Sequence, residues 1–379
     1  MIDGWKNESL QELISYISKG IPPSYVEIAN ENTICVLNQK CNRDFSISYI
    51  ESRLHDLSKK KVSSEKYLCK GDILINSTGK GTAGRIAQIY NLPCPTIVDG
   101  HMIILRGNDK VVSRYLGYAL KAQQFKVLQL DEGSTGQTEL NRQRLLQDIY
   151  ISYPVSLIEQ ENIVKILSAL DDKIELNKKI NKTLEEMAKA IWAEKFGNSN
   201  ENGLLGDIIE LFDYKRVPIP SEKRKLMKNI YPYYGAASLM DYVDNYLFDG
   251  IYVLLGEDGT VTDNLGYPML QYVWGKFWVN NHAHIMRGRN GFTVESLYIL
   301  LKHTNVRSIV TGAVQPKINQ MNLKNLSVFI PKIEDLENFN KLIDPMFSSI
   351  RVRSIENIHL FSIRDILLPK LMSGEIRVK

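Results

Sequence analysis

The sequence predicts an α+β protein: two pseudo-repeated mixed α/β domains separated by two long helices that pack as an antiparallel coiled coil. Three observations predict it. The chain has 379 residues, more than one ordinary core and suited to two domains. The order of apolar and polar segments in the first half returns in the second. After each half the apolar spacing changes from the alternation of strands to the 4–3 spacing of helices. The segments fall at 1–155, 156–198, 199–331 and 332–379.

The repeat starts where Leu10-Gln11-Glu12-Leu13-Ile14 is answered by Leu205-Gly206-Asp207-Ile208-Ile209. Each precedes a short loop with prolines, Ile21-Pro22-Pro23-Ser24 and Val217-Pro218-Ile219-Pro220-Ser221. Next comes an apolar strand running into a glycine and threonine loop, at 72–82 and again at 250–260. A second strand follows at 98–107 and at 280–288, and both copies share His-x-x-x-x-Arg-Gly when His101 is set against His282. Last, Ser134-Thr135-Gly136-Gln137 leads to Pro154 and Thr311-Gly312-Ala313-Val314-Gln315 leads to Pro331, each through a segment that reads as an alternating strand.

Beyond each proline lies a helix. The first carries Ile163, Leu167, Leu170 and Ile174, then Asn177 and Asn181, then Leu184, Ala188 and Ile191. This is a coiled-coil seam with two polar interruptions, a pattern that fixes register at some cost in stability. A helix of ~40 residues is roughly 60 Å long. The second carries Phe339, Ile343, Met346 and Ile350, then Asn357, Leu360, Leu367 and Leu371, and Pro345 is expected to kink it or start it afresh. Neither helix can hide such a stripe alone, so the two are expected to bury it against each other. Similar domains on a fixed spacer suit two similar targets at a fixed distance, and split DNA sites are the obvious candidate.

Composition narrows the function classes. Hydrophobic residues make up 44% and charged residues 24%, which suits a water-soluble fold. No apolar run approaches the ~18–20 residues of a membrane span, and Met1 to Lys6 lacks the pattern of a signal peptide, so a cytoplasmic location without membrane contact is expected. Cys35, Cys41, Cys69 and Cys94 have no C-x-x-C spacing and read as reduced thiols. His282 and His284 would need further ligands to hold a metal, and none is evident. Net charge is +4, compatible with nucleic acid without demanding it. Ile21-Pro22-Pro23-Ser24 lacks the leading amide or carboxylate of an adenine methyltransferase motif, and no Walker A loop occurs. A nuclease-like set of acids is left open by spacing, with nothing to favour it over surface charge.

Three stretches resemble a known family, the DNA specificity subunits of type I restriction–modification systems. The segment from Leu157-Ile158-Glu159-Gln160 to Ile174-Glu175-Leu176-Asn177 is similar to their central conserved region, and Leu367 to Val378 to their C-terminal one. Tyr231-Pro232-Tyr233-Tyr234-Gly235-Ala236, with Gly256-Glu257-Asp258-Gly259, resembles one type of their target-recognition domain. The resemblance implies that each recognition domain reads one half of a bipartite, asymmetric site on double-stranded DNA. It implies that the helices set the unread spacer and dock two methyltransferase subunits, and that restriction subunits join the complex. It also implies that this chain has no catalytic centre and binds no cofactor. S-adenosylmethionine would belong to the methyltransferase subunits, ATP and magnesium to the restriction subunits. Asp344-Pro345 departs from the unbroken helix of the first copy. The alternative reading is a non-catalytic protein-interaction scaffold with a coiled-coil tether.

Candidate contacts lie in the polar loops. Gly79-Lys80-Gly81-Thr82-Ala83-Gly84 has the spacing of a dinucleotide-binding fingerprint, but Arg85 to Ile89 reads as a strand, so a β-hairpin loop fits better. Ser77, Thr78, Lys80, Thr82 and Arg85 are candidate contacts to phosphate or base edges; the plain reading is a solvated turn. Ser134, Thr135, Gln137, Asn141, Arg142 and Arg144 form a dense donor and acceptor cluster, echoed by Gln315, Lys317, Asn319 and Gln320. Loop capping is the competing explanation. Lys215 and Arg216 suit phosphate, Asn281 and His282 complete the second set, and Tyr233 and Tyr234 are either core or base-facing. Glu257-Asp258 reads as a turn with its own capping side chains.

Overall fold

The structure is a computed structural model that describes residues 3–79, 81–132, 139–312 and 314–378, with only the backbone of residues 131 and 132. The chain forms two compact units, residues 1–174 with 359–379, and residues 175–358. Each unit therefore holds one mixed domain and part of each long helix.

In the first unit β1 (Trp5–Ser9), β2 (Ile14–Lys19), β3 (Ile73–Asn76), β4 (Ile86–Gln88) and β5 (Met102–Gly107) precede helix α1 (Ser113–Ala122). The order β2-β5-β3-β4 makes an antiparallel sheet. Its middle strands are continuous apolar runs because both faces are covered. Ile73, Ile75, Ile103 and Leu105 pack towards α1 with Tyr115 and Leu116, while Leu74, Met102 and Ile104 pack towards Leu37, Cys41 and Val98. A second sheet, built from Tyr25–Val26, Thr33–Leu37, Arg53–Asp56 and Thr96–Val98, supplies that other layer. Helix α2 (Arg142–Asp148) then leads into β6 (Tyr150–Pro154), which pairs with β1 so that Pro154 faces Trp5.

The second unit repeats the plan. Strand β7 (Gly203–Leu204) is followed by β8 (Ile209–Leu211), β9 (Tyr231–Tyr234), β10 (Leu239–Val243), β11 (Phe248–Gly256), β12 (Leu270–Val279) and β13 (Ala283–Gly288). Helix α4 (Val294–His303), helix α5 (Gln320–Lys324) and β14 (Ser327–Val328) complete it. The sheet order is β8-β13-β11-β12-β9-β10, so its first four strands match the first unit's sheet position for position. Again the middle is covered on both sides: Val253, Leu255 and Met286 face α4, and Tyr252, Leu254 and Ile285 face an aromatic layer of Phe212, Phe248 and Phe277. Thr293 starts α4 with a reciprocal cap, accepting from the Ser296 amide at 3.1 Å and donating its own amide to Ser296 Oγ at 2.9 Å.

The long helices are α3 (Leu157–Phe196) and α6 (Ile333–Met372), each of 40 residues. They run antiparallel within each unit. In the first, Ile163 and Leu167 share a core with Leu368, Leu371 and Met372, and Arg364 donates to Asp171 at 3.0 Å. In the second, Trp192 stacks edge-on against Phe339, Asn181 donates to Ser354 at 3.1 Å and Asn177 to Asn357 at 2.9 Å. The polar interruptions of the seam thus meet each other. Trp192 and Phe196 carry the end of the α3 seam, which the spacing had placed at the half-buried Ile191.

Two expectations are corrected. Helix α6 does not start afresh at Pro345. The proline is exposed and its neighbours Ile343 and Phe347 are buried, so core packing holds the helix through the missing amide. The segments before Pro154 and Pro331 are not simple alternating strands either. Each opens with a short helix, because Asn141 and Asn319 accept from the Arg144 and Asn322 amides at 3.0 and 2.8 Å and cap a helical turn. Among the described residues, no helix is long and apolar enough to cross a membrane.

Candidate nucleic-acid interface

Three segments meet at one end of each sheet. In the first unit they are the loop after β3, the turn before β5 and the approach to α2. The Ser77 amide donates to the His101 carbonyl at 2.8 Å, and the Leu140 amide to the Ser77 carbonyl at 2.7 Å. Thr78 bridges to Glu139, and its hydroxyl lies 2.9 Å from His101 Nδ1. Gln39 Nε2 donates to the same hydroxyl at 2.6 Å, and Asp99 fixes the turn by accepting from the His101 amide at 2.9 Å. An ion pair between Lys19 and Glu139 closes the junction.

The second unit builds the same junction from different residues. The Glu257 amide donates to the His282 carbonyl at 2.8 Å, and the Ile318 amide to the Glu257 carbonyl at 2.8 Å. Asp258 bridges to Lys317 and lies 2.5 Å from His282 Nδ1, while Asn280 accepts from the His282 amide at 2.8 Å. The closing ion pair differs: Lys317, at the position of Glu139, supplies the cation and pairs with Glu257 at 3.3 Å.

Beneath that junction lies a buried ionic network. Asp213 accepts from the Ile285 amide at 2.8 Å and from Gln320 at 2.7 Å, and lies 2.6 Å from His284 Nδ1. Arg216 donates to Glu257 at 2.5 Å and to the Ala283 carbonyl at 2.9 Å. Burial alone would raise the Asp213 carboxyl, but the hydrogen bond and charge of His284 outweigh it and hold the group below its ordinary range. Asp213, Glu257 and His284 are of the types that hold metal ions and lie close enough to do so. Arg216 and Lys317 already stand against these carboxylates and supply the positive charge that an ion would bring.

Comparison with known proteins decides what this architecture belongs to. Residues 2–186 and 200–351 match the family described as Type I restriction modification DNA specificity domain. The chain belongs to that family. The type I restriction enzyme MjaIX specificity subunit of Methanocaldococcus jannaschii is 27% identical over 381 aligned positions, covering 89% of this chain and 85% of that one. The EcoprrI specificity subunit of Escherichia coli is 26% identical over 139 residues, covering 35% and 33%. Two Haemophilus influenzae relatives match at 31% and 26% identity, and the matched parts span 36% and 40% of their lengths. A crystal structure of the type I system S subunit of M. genitalium shares the fold, with a TM-score of 0.54 at 18% identity over 97% of this chain and 96% of that one.

Placing the sequence candidates on this specificity subunit separates them. Thr78, Thr82 and Arg85 gather in the first junction: Thr82 Oγ1 caps the loop through the Gly79 carbonyl at 3.2 Å, and Arg85 reaches the Gly81 carbonyl at 3.2 Å. The loop between β3 and β4 is a hairpin, followed by a strand and not by the helix of a dinucleotide site. Asn141 is spent on its cap, Arg142 is exposed, and Arg144 pairs with Asp148 at 3.0 Å on the exposed face of α2. Lys80, Ser134, Thr135 and Gln137 lie outside the described residues. In the second unit Lys215, Asn281, Gln315 and Lys317 are exposed, and Asn319 caps α5.

Several candidates are buried or already have partners within the fold. Ser77 and Tyr233 are buried, the latter accepting from the Ile219 amide at 3.2 Å inside a small core. Tyr234 is half-buried against Phe277, and burial pushes its phenol up to about 12. Arg216 is tied into the ionic network, as is Gln320. Glu257 and Asp258 do not cap their own turn; they face Arg216, Lys317 and His282. His284 does have further ligand types beside it, which the sequence hid because Asp213 lies 71 positions away. His101 was visible in the His-x-x-x-x-Arg-Gly repeat, whereas Gln39 and Asp213 carry no local signal.

Proposed function

We propose that the two junctions are the reading ends of a DNA specificity subunit, each addressing one half of a bipartite, asymmetric site. The observation that carries this reading is the junction itself, built twice with the same backbone bonds and different side chains. Equal scaffolds with unequal chemistry suit two half-sites of unequal sequence. The antiparallel helices set the unread spacer. Their exposed apolar side chains, among them Leu176 and Met187 on α3 and Val352 and Ile355 on α6, suit the docking of two methyltransferase subunits. In this reading the chain is non-catalytic and cytoplasmic and binds no cofactor. S-adenosylmethionine belongs to the methyltransferase subunits, and ATP with magnesium to the restriction subunits.

The test is duplex binding by the complex with its methyltransferase partners at rising salt. Phosphate contacts predict affinity that falls steeply with salt, and base contacts predict a sequence preference that outlasts that fall. Weak, salt-independent binding without preference would move the protein-scaffold reading to first place.

A further inference from the structure

We propose that His101 and His282 are equivalent specificity-determining residues, one for each half of the DNA site, each offering its Nε2 to a base edge. The inference rests on the DNA-reading role proposed above. Each histidine lies in the turn immediately before the corresponding strand, His101 before β5 and His282 before β13, and both sit at the point where the three segments of the junction meet. In each, Nδ1 is tied inward: to the Thr78 hydroxyl at 2.9 Å in one case, to the Asp258 carboxylate at 2.5 Å in the other. The backbone is fixed as well, by Asp99 or Asn280 on the amide and by the Ser77 or Glu257 amide on the carbonyl. Among the described residues neither Nε2 has a hydrogen-bond partner. His101 is exposed, and the His282 side chain is 46% exposed.

Packing does not account for this arrangement. An exposed ring contributes little to a core, and the junction positions around it differ between the two units. Ser77 answers Glu257, Thr78 answers Asp258, and Glu139 answers Lys317. The histidine is kept at the same place in both junctions, with its ring held by whichever neighbour each unit provides. A ring anchored on one nitrogen presents the other in a fixed place, the preorganisation that selective hydrogen bonding requires. The different anchors, a hydroxyl and a carboxylate, give the two rings different hydrogen-bonding character, which suits unequal half-sites.

Asparagine places its amide near the position of Nδ1 and glutamine near that of Nε2, so the two substitutions separate the anchor from the contact. The experiment uses the complex with the methyltransferase subunits and compares wild type, H101N, H282N, H101Q and H282Q. It reads affinity on a duplex library, the methylated motif and urea unfolding. The asparagine variants are expected to unfold as wild type and to lose about tenfold in affinity, the scale of one specific contact. H101N should act on one half of the motif and H282N on the other, with the glutamine variants regaining part of the loss. Relaxation at one base position marks a base contact. An equal loss on every sequence would mark a phosphate contact and overturn the specificity role. Asparagine variants that bind and methylate as wild type, or glutamine variants that regain nothing, would overturn the assignment. If the wild-type complex itself yields no split motif, the DNA-reading role fails, which is a different result from a normal wild type with unaffected variants.

Discussion

Asp213 shows how much of the second junction depends on one buried carboxylate. It ties β13 through the Ile285 amide, the start of α5 through Gln320, and the ring of His284, whose other nitrogen faces the Ile318 carbonyl at 2.8 Å. Removing one member of a buried ionic set leaves the rest unpaired, at a cost of about 3–5 kcal/mol. D213A should therefore lower the unfolding free energy of the second unit by that amount, as read in urea. Because the folded carboxyl sits below its ordinary value of 3.8, its contribution is present above that pH and disappears as pH falls through the folded value. D213N should accordingly flatten the acid limb of the stability curve; an unchanged limb would show that Asp213 does not govern it. At this scale the sequence was partly legible. The repeat marked His101 and His282, and the polar loop residues Thr78 and Lys317 each lie in the junction of their own unit. The partners of Arg216 and Tyr233 within the fold left no trace in the sequence, because residue type says nothing about whether a neighbour already occupies the side chain.

At the scale of elements, periodicity served long segments better than short ones. The seams of α3 and α6 stood out because their apolar spacing persists over many turns. Helices α2 and α5 did not, because one or two turns between Leu140 and Ile149, or between Ile318 and Val328, look like loose alternation. Only the capping Asn141 and Asn319 announced them. Pro345 erred in the other direction. It is a strong local signal, but Phe339, Ile343 and Phe347 on the buried face outweigh it. A proline inside a helix costs about 3 kcal/mol relative to alanine, so P345A should raise the urea midpoint of the second unit. A lowered midpoint would mean that the proline shapes a bend on which the packing depends.

For the whole molecule, the two-domain repeat and the antiparallel helices followed from sequence, whereas the division of the chain into packed units did not. Ile163 and Leu167 complete a core together with Leu368 and Leu371, residues about 200 positions away, so each domain is finished by helix segments from both halves of the chain. Such long-range closure leaves no local trace. It also means that each domain and its share of the long helices form one structural unit. The most direct test of that claim is to map methyladenine, molecule by molecule, in host DNA from cells that express the methyltransferase subunit with or without this chain. A split, asymmetric motif that vanishes when the chain is omitted is the predicted result. Methylation that is unchanged by its omission would contradict the account.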